Sequence, residues 1–365
     1  MNHMSNSIFN ELFVLELANN HLGNVERGLQ IIEQHAKIVR FNNVHATIKL
    51  QLRDLDTFIH KDFVDRKDIR YIKKTLETRL PREHIVTLVH AVKASGCLTS
   101  ATPFDEASVD FCQELNVDLL KIASSDLNDW VLIEKIARAR KPVIASTGGS
   151  SLKDIEDLVT FFHNRSLPLA LNHCVSIYPS ENGELELNQI DFLRDRFPNV
   201  TIGFSTHEYG DWNSSIMMAY AKGARTFERH IDIETPGASL SPYCSLPHQI
   251  DTWFRSMKKA ADMCGSPGTV RRQIPAKEIK YLDALVRGVY ARRDLAVGHR
   301  LTSDDIYLAI PLMKGQISCR ELMLGDYGHL ISKPCSSHQP IFIDAIESPY
   351  SSNASLRDLI YQRGV

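Results

Sequence analysis

The sequence predicts an α/β fold, a (β/α)8 TIM barrel followed by a small β-rich second domain. Eight short apolar runs alternate with helical patterns over roughly the first 260 residues. A Gly/Pro/polar break at 265–275 ends that alternation, and the pattern does not resume beyond it. The Gly-rich first turn of a doubly wound open sheet is missing after the first run. A length of 365 residues, at ~150 residues per domain, accommodates a barrel with an appendage.

The eight runs are 13–17, 44–50, 96–102, 119–123, 142–146, 168–175, 200–205 and 225–231. Each is apolar along most of its length, as a strand covered on both faces should be. Between the first two, Val25, Leu29, Ile32 and Ala36 recur at helical spacing and mark one helix face. Ser151 and Asp154 form a capping-box pattern ahead of Ile155, Leu158, Val159 and Phe162. The resulting division is a barrel over 1–265, a linker over 266–280 and a small domain over 281–346, with strand-like pieces at 288–291, 307–310 and 340–343. Residues 347–365 form a polar tail with a late amphipathic stretch that the pattern does not place.

Composition excludes several classes. Apolar residues make up 43% and charged residues 24%, which rules out wholesale disorder. Lys+Arg of 42 against Asp+Glu of 44 leaves no basic excess for a nucleic acid or an anionic membrane. Seven scattered cysteines without a C-x-x-C pair point to reduced thiols in a cytoplasmic protein. The opening residues 1–5 have neither a basic nor an apolar leader region, and no apolar run reaches the ~18 residues needed to cross a bilayer.

In a parallel barrel, polar residues at the C-terminal ends of the strands share one pocket. Lys49 and Lys121 would meet there with Thr102, Ser124, Ser146 and Ser205. Two ammonium groups and several hydroxyls suit a phosphate and a carboxylate. Either lysine alone could instead snorkel from the barrel mouth, and Lys121 could form a Schiff base. His207 and His230 end adjacent strands and could share an open Mn²⁺ or Mg²⁺ site, although paired histidines are more often hydrogen-bonded pocket residues. Glu16 is either a general acid/base or the ion-pair partner of a lysine.

These residues also lie in a pattern that resembles the sialic acid synthase (N-acetylneuraminate synthase-like) family, whose members carry a C-terminal SAF, or antifreeze-like, domain. Its marks are Glu16-Leu-Ala-Asn-Asn20-His21, Ile48-Lys49-Leu-Gln51, Ser100-Ala-Thr102-Pro-Phe-Asp105, Leu120-Lys121-Ile-Ala-Ser124 and Ser146-Thr147-Gly148. His173-Cys-Val-Ser176-Ile-Tyr178-Pro179, Gly203-Phe-Ser205-Thr-His207, Glu228-Arg-His230 and Arg287 continue it. Divergent chains named spore coat polysaccharide biosynthesis synthases are similar.

The resemblance implies condensation of phosphoenolpyruvate with an N-acylated hexosamine such as N-acetylmannosamine, giving a nonulosonic acid and phosphate. It further implies that Lys49, Thr102, Lys121, Ser124, Ser146, Ser176, Tyr178 and Ser205 hold phosphoenolpyruvate. His207 and His230 would bind the divalent metal, with Glu16 and Lys121 catalytic. Asn20, Gln51, Asp126 and Arg287 would face the acceptor, Arg287 from the partner in a domain-swapped homodimer. Four departures stand out. Thr206 replaces an Asp beside His207, Ser176 replaces an Asn, Asp126 replaces a Glu one methylene longer, and the acceptor loop at 236–247 is longer and lacks its Asp. The expected acceptor therefore need not be N-acetylmannosamine. A Schiff-base pyruvate aldolase on the same barrel and a non-catalytic sugar-binding paralogue are the competing readings.

Overall fold

The computed structural model describes residues 7–324, 326–348 and 351–365. Residues 1–5, read above for a leader, lie outside them. The chain divides after Gly265 into two compact units.

In the first unit eight strands form a closed parallel barrel in sequence order, with β8 returning to β1. They are β1 (Leu12–Ala18), β2 (Ala46–Leu52), β3 (Leu98–Pro103), β4 (Leu119–Ile122), β5 (Val143–Ser146), β6 (Leu169–Cys174), β7 (Thr201–Thr206) and β8 (Thr226–His230). The first helix, α1 (Val25–Asn42), follows β1. Three helices lie between β2 and β3: α2 (Leu55–Phe58), α3 (Arg70–Glu77) and α4 (Arg82–Ala94). Single helices then alternate with strands: α5 (Glu106–Glu114), α6 (Trp130–Arg138), α7 (Leu152–Asn164), α8 (Asn188–Arg196) and α9 (Ser214–Ala221). After β8, α10 (Pro247–Cys264) closes the ring.

Local sequence sets these boundaries. The Asn24 side chain accepts from the Arg27 N–H at 2.8 Å to start α1, and Asn43 ends it in the left-handed region. Ser151 and Asp154 make the predicted capping box at α7. Strand residues that point outward pack on the helices. The ring of Phe13 lies 4.5 Å from Phe254 and 5.1 Å from Trp253, all three fully buried.

The barrel interior is layered. Its N-terminal end is filled by Phe9, Leu12, Val14, Leu119, Ile144 and Ala170. Above them lies a polar layer: Thr47 donates to Ser100 Oγ at 2.9 Å and Thr226 donates to Asn172 Oδ1 at 2.6 Å. The charged residues come next, at the C-terminal ends. An aliphatic filling, the norm for this fold, thus occupies one end only. The intermediate layer satisfies its own polar groups, and Asn172 Nδ2 also donates to Glu228 Oε2 at 3.3 Å.

The second unit has its own core, centred on Val289, Ile317, Ile341 and Ile343. It contains two antiparallel pairs, β9 (Gly288–Ala291) with β10 (Ile306–Ala309) and β11 (Leu330–Ile331) with β12 (Ile346–Glu347). The 340–343 piece makes only isolated bridges, from Pro340 to Tyr290 and from Phe342 to Gln316. Three helices belong to this unit: α11 (Ala276–Asp283), α12 (Cys319–Leu324) and α13 (Ala354–Gln362). The first of them begins inside the stretch read as linker, 266–280. The 347–365 tail is likewise not a separate segment. Ile360 of α13 enters the core, and Arg363 Nε donates to Asp283 Oδ1 of α11 at 2.5 Å.

One substitution tests the interior layering. A Cβ at Gly203 would overlap Thr226 Oγ1 and Asn172 Oδ1. Gly203→Ala should lower stability by about 3 kcal/mol, seen as a lower urea midpoint at unchanged slope.

Candidate active site

Strand register brings the charged residues to one level. Glu16 on β1 stands opposite Lys49 on β2 and His230 on β8, and Glu228 stands opposite Ser205 on β7. Side chains two apart on a strand share a face, so Thr226, Glu228 and His230 all point inward while Arg229 points out.

The ionic core of the mouth is a chain of four buried groups. Glu16 pairs with Lys49; Lys49 Nζ also lies 3.2 Å from Glu228 Oε1; Lys121 Nζ lies 3.7 Å from Glu228 Oε2. Glu16 therefore has a lysine partner. A register shift after Glu16 also turns the Ala18 N–H onto its Oε1 at 2.7 Å. Lys49 Nζ donates to Thr102 Oγ1 at 3.0 Å and Lys121 Nζ to Ser146 Oγ at 2.6 Å. Burial pulls the Lys49 ammonium down to about 8, against the attraction of Glu228. Burial pushes the Glu228 carboxyl up, but Lys121 and Lys49 outweigh it and hold the group below its ordinary value.

The expected hydroxyls converge beside this chain. Ser124 Oγ accepts from the Gly148 N–H at 3.2 Å, and a Cβ at Gly148 would overlap the Ser176 and Ser124 hydroxyls. Ser205 is buried opposite Glu228. Tyr178 lies beside the two histidines, and the charge of Glu228 reaches it. Its ring packs 3.8 Å from that of His207, with Tyr243 at 5.2 Å.

His207 and His230 lie with ring centroids 5.5 Å apart. Burial pulls His207 down to about 4 and His230 well below its ordinary value, so both rings are neutral near pH 7. His207 Nδ1 bonds the Val175 carbonyl at 3.0 Å, leaving Nε2 available, and His230 Nδ1 is buried without a partner. Neutral rings with an uncommitted nitrogen and an orphaned one fit a divalent ion. No cluster of three or more His, Cys, Asp or Glu suited to a metal occurs among the described residues. A site here would be an open one, with two protein ligands.

Of the residues assigned to the acceptor, Gln51 and Asp126 both lie within range of Arg53. Asn20 Nδ2 donates to the Ile231 carbonyl at 2.8 Å and to Cys244 Sγ, tying the β1 loop to the chain beyond β8. Gln51 Oε1 accepts from Arg53 at 3.0 Å. Asp126 accepts from Ser125 Oγ at 2.8 Å, its Oδ2 is buried and unpartnered, and burial pushes its carboxyl up. Arg287 is exposed on the second unit, immediately before β9.

Sequence reasoning passed over three contributors. Glu228 stood at a strand end without a role, and Tyr243 belongs to the rewritten loop. The third is Glu208. Thr206 stands opposite Arg229, but Glu208 Oε1 accepts from Arg229 Nη1 at 2.8 Å. Glu208, two residues beyond Thr206, pairs with Arg229 on the outer side of the strands that carry the histidines.

The NeuB family profile matches residues 33–268. A solved structure from Chromobacterium violaceum, assigned the name spore coat polysaccharide biosynthesis protein E, is 37% identical. It superposes with a TM-score of 0.88 over 93% of this chain and 100% of that one. An N-acetylneuraminate-9-phosphate synthase of Drosophila melanogaster is 31% identical over 67% of each chain. A pseudaminic acid synthase of Campylobacter jejuni is 26% identical over 80% of this chain and 85% of its own.

The four-group chain makes a non-additive prediction. Glu228→Gln should cost ~3–5 kcal/mol, because Lys121 then keeps a buried charge without a carboxylate. Adding Lys121→Met should recover part of that loss in denaturant unfolding.

Proposed function

Because this chain belongs to the NeuB family, we propose that it is a synthase of the nonulosonic-acid type. It condenses phosphoenolpyruvate with an aldose, an N-acylated amino sugar, and releases phosphate. The observation that carries this reading is the pair of buried lysines, bridged by Glu228 and ringed by hydroxyls, beside two neutral histidines. Such a site offers a small multivalent anion charge-assisted hydrogen bonds away from bulk water.

In this reading Lys49, Lys121, Thr102, Ser124, Ser146, Ser176 and Ser205 hold the phosphate and carboxylate. That fixes the enol carbon toward the sugar aldehyde. His207 and His230 hold a divalent ion, Mn²⁺ or Mg²⁺, which when bound supplies Lewis-acid polarisation of the aldehyde. Tyr178 packs on His207 and fixes its ring. Carbon–carbon bond formation leaves a cation at the former enol carbon, stabilised by the surrounding carboxylates. Water adds there and loses a proton, the aldehyde oxygen gains one, and the resulting hemiketal phosphate collapses to the ketone, its C–O bond breaking as phosphate departs with the hydroxyl proton. Glu16, anchored by the Ala18 N–H and Lys49, moves the proton lost by that water. Gln51 and Asp126 face the sugar, and Asn20 fixes the adjoining loop. The second unit is a SAF (antifreeze-like, β-clip) domain in the same reading. The enzyme is then a domain-swapped homodimer, with Arg287 reaching the acceptor end of its partner's barrel.

The deciding experiment incubates the protein with Mn²⁺, phosphoenolpyruvate and a panel of aldoses and acylamino sugars. Acceptor-dependent phosphate release supports the synthase. Absence of release with every acceptor, or borohydride trapping of pyruvate on Lys121, overturns it. His207→Ala should lower kcat at least ~100-fold with an unchanged circular dichroism spectrum. Chelation should abolish wild-type turnover reversibly.

The pH dependence follows from Lys49. Its ammonium, displaced from 10.5 to about 8, is present below that pH and lost above it. The kcat/KM for phosphoenolpyruvate should therefore fall as pH rises through 8. A flat profile to pH 10 would exclude Lys49 as an anion ligand.

A further inference from the structure

The two histidines of the mouth are flanked by a buried ion pair that faces away from it. Arg229 precedes His230 on β8, and Glu208 follows His207 just past the end of β7. Successive strand residues point to opposite faces, so the histidines turn to the mouth and their neighbours turn to the helices. The pair closes at 2.8 Å, with side chains only 1% and 0% exposed.

One guanidinium fastens three chain segments. Its Nη1 donates to Glu208 Oε1 and its Nη2 to the Glu208 carbonyl, both at 2.8 Å, while its Nε donates to Ser245 Oγ at 2.6 Å. The Ser245 N–H in turn donates to the His230 carbonyl at 2.8 Å, and Trp212 Nε1 donates to Ser245 Oγ at 2.9 Å. Tyr243, two residues before Ser245, has its ring 5.1 Å from that of His230. Register places Thr206 opposite Arg229, so His207 and His230 are the residues that follow on the two chains. Arg229 therefore ties together the chain at His207, the chain at His230 and the loop that carries Tyr243.

Stability does not account for such a pair. The outer faces of barrel strands are ordinarily apolar, as Phe13 is where it packs on Trp253 and Phe254. Taking a guanidinium and a carboxylate out of water costs about what their attraction returns, so apolar side chains in their place would be as stable or more so. Apolar side chains would not supply direction. Three hydrogen bonds from one rigid planar group fix both the distance and the angle between the segments they join. Groups that orient metal ligands in this way typically contribute ~10- to 100-fold in affinity, and two ligands alone leave little else to hold an ion.

We infer that Arg229 and Glu208 are positioning residues for His207 and His230: their buried pair sets the relative placement of the two rings, and through it the affinity for a divalent ion. The inference rests on the reading of the two histidines as a metal site.

The test separates position from stability with the double variant Glu208→Leu/Arg229→Met, which replaces the pair by apolar side chains. Its urea midpoint should equal or exceed that of the wild type. Its affinity for Mn²⁺ alone, read from the paramagnetic resonance signal of the free ion, should fall ~10- to 100-fold. In its crystal structure the His207 and His230 rings should leave their 5.5 Å separation. Glu208→Gln keeps an acceptor oxygen for Arg229 and should retain both the separation and most of the affinity. Arg229→Lys, which keeps the buried charge and loses the planar fork, serves where the double variant does not fold, and should show the same changes in smaller measure. Rings unmoved in the double variant and in Arg229→Lys overturn the inference whatever the affinity. Mn²⁺ binding that is lost in His207→Ala but unaltered in both pair variants also overturns it, and keeps the metal site. Displaced rings in the variants of a protein that binds no Mn²⁺ would sink the metal site and keep the positioning role.

Discussion

The barrel mouth is governed by the cost of placing Glu16, Lys49, Glu228 and Lys121 out of water within contact of one another. Buried singly, any of these groups would lose several kcal/mol of solvation. Alternating in sign, they sum to zero, and each ion has an opposite neighbour. The lysines are thereby held at fixed positions by their carboxylate and hydroxyl partners.

That arrangement dictates the layers beneath it. A carboxylate set directly on aliphatic side chains would have oxygens with nothing to accept from. Asn172 meets this need, donating upward to Glu228 while accepting from Thr226 below. The amide and hydroxyl occupy the space a side chain at position 203 would take, which is why β7 carries glycine there. On the outer face, Arg229 binds the Glu208 carboxylate and backbone carbonyl and donates to Ser245 Oγ at 2.6 Å. The ends of β7 and β8, which carry the two histidines, are locked together from behind.

Much of this was legible in the sequence. Runs of buried strands and helical spacing identify the barrel because both periodicities are local. Lysines at the ends of apolar runs mark the charged layer of the barrel because a charge there requires a partner. The partnerships themselves were not legible. Whether Glu16 pairs with Lys49, or whether Glu228 bridges two lysines, depends on register between strands far apart in sequence. Nor does the motif that carries Tyr178 reveal that its ring packs on His207. The α13 helix went unplaced because its contacts are with Asp344 and with the core of the second unit, which has no repeating pattern to read.

The departures from the sialic acid synthase pattern fall into two physical kinds. Thr206 stands where the pattern has an Asp, and the carboxylate closest along the chain is Glu208, which pairs with Arg229. The 236–247 loop lacks the Asp of that pattern and brings Tyr243 to a ring distance of 5.1 Å from His230. The first departure thus stands beside a carboxylate two residues away, whereas the second sets an aromatic ring against a buried histidine in the loop where the pattern has an acid.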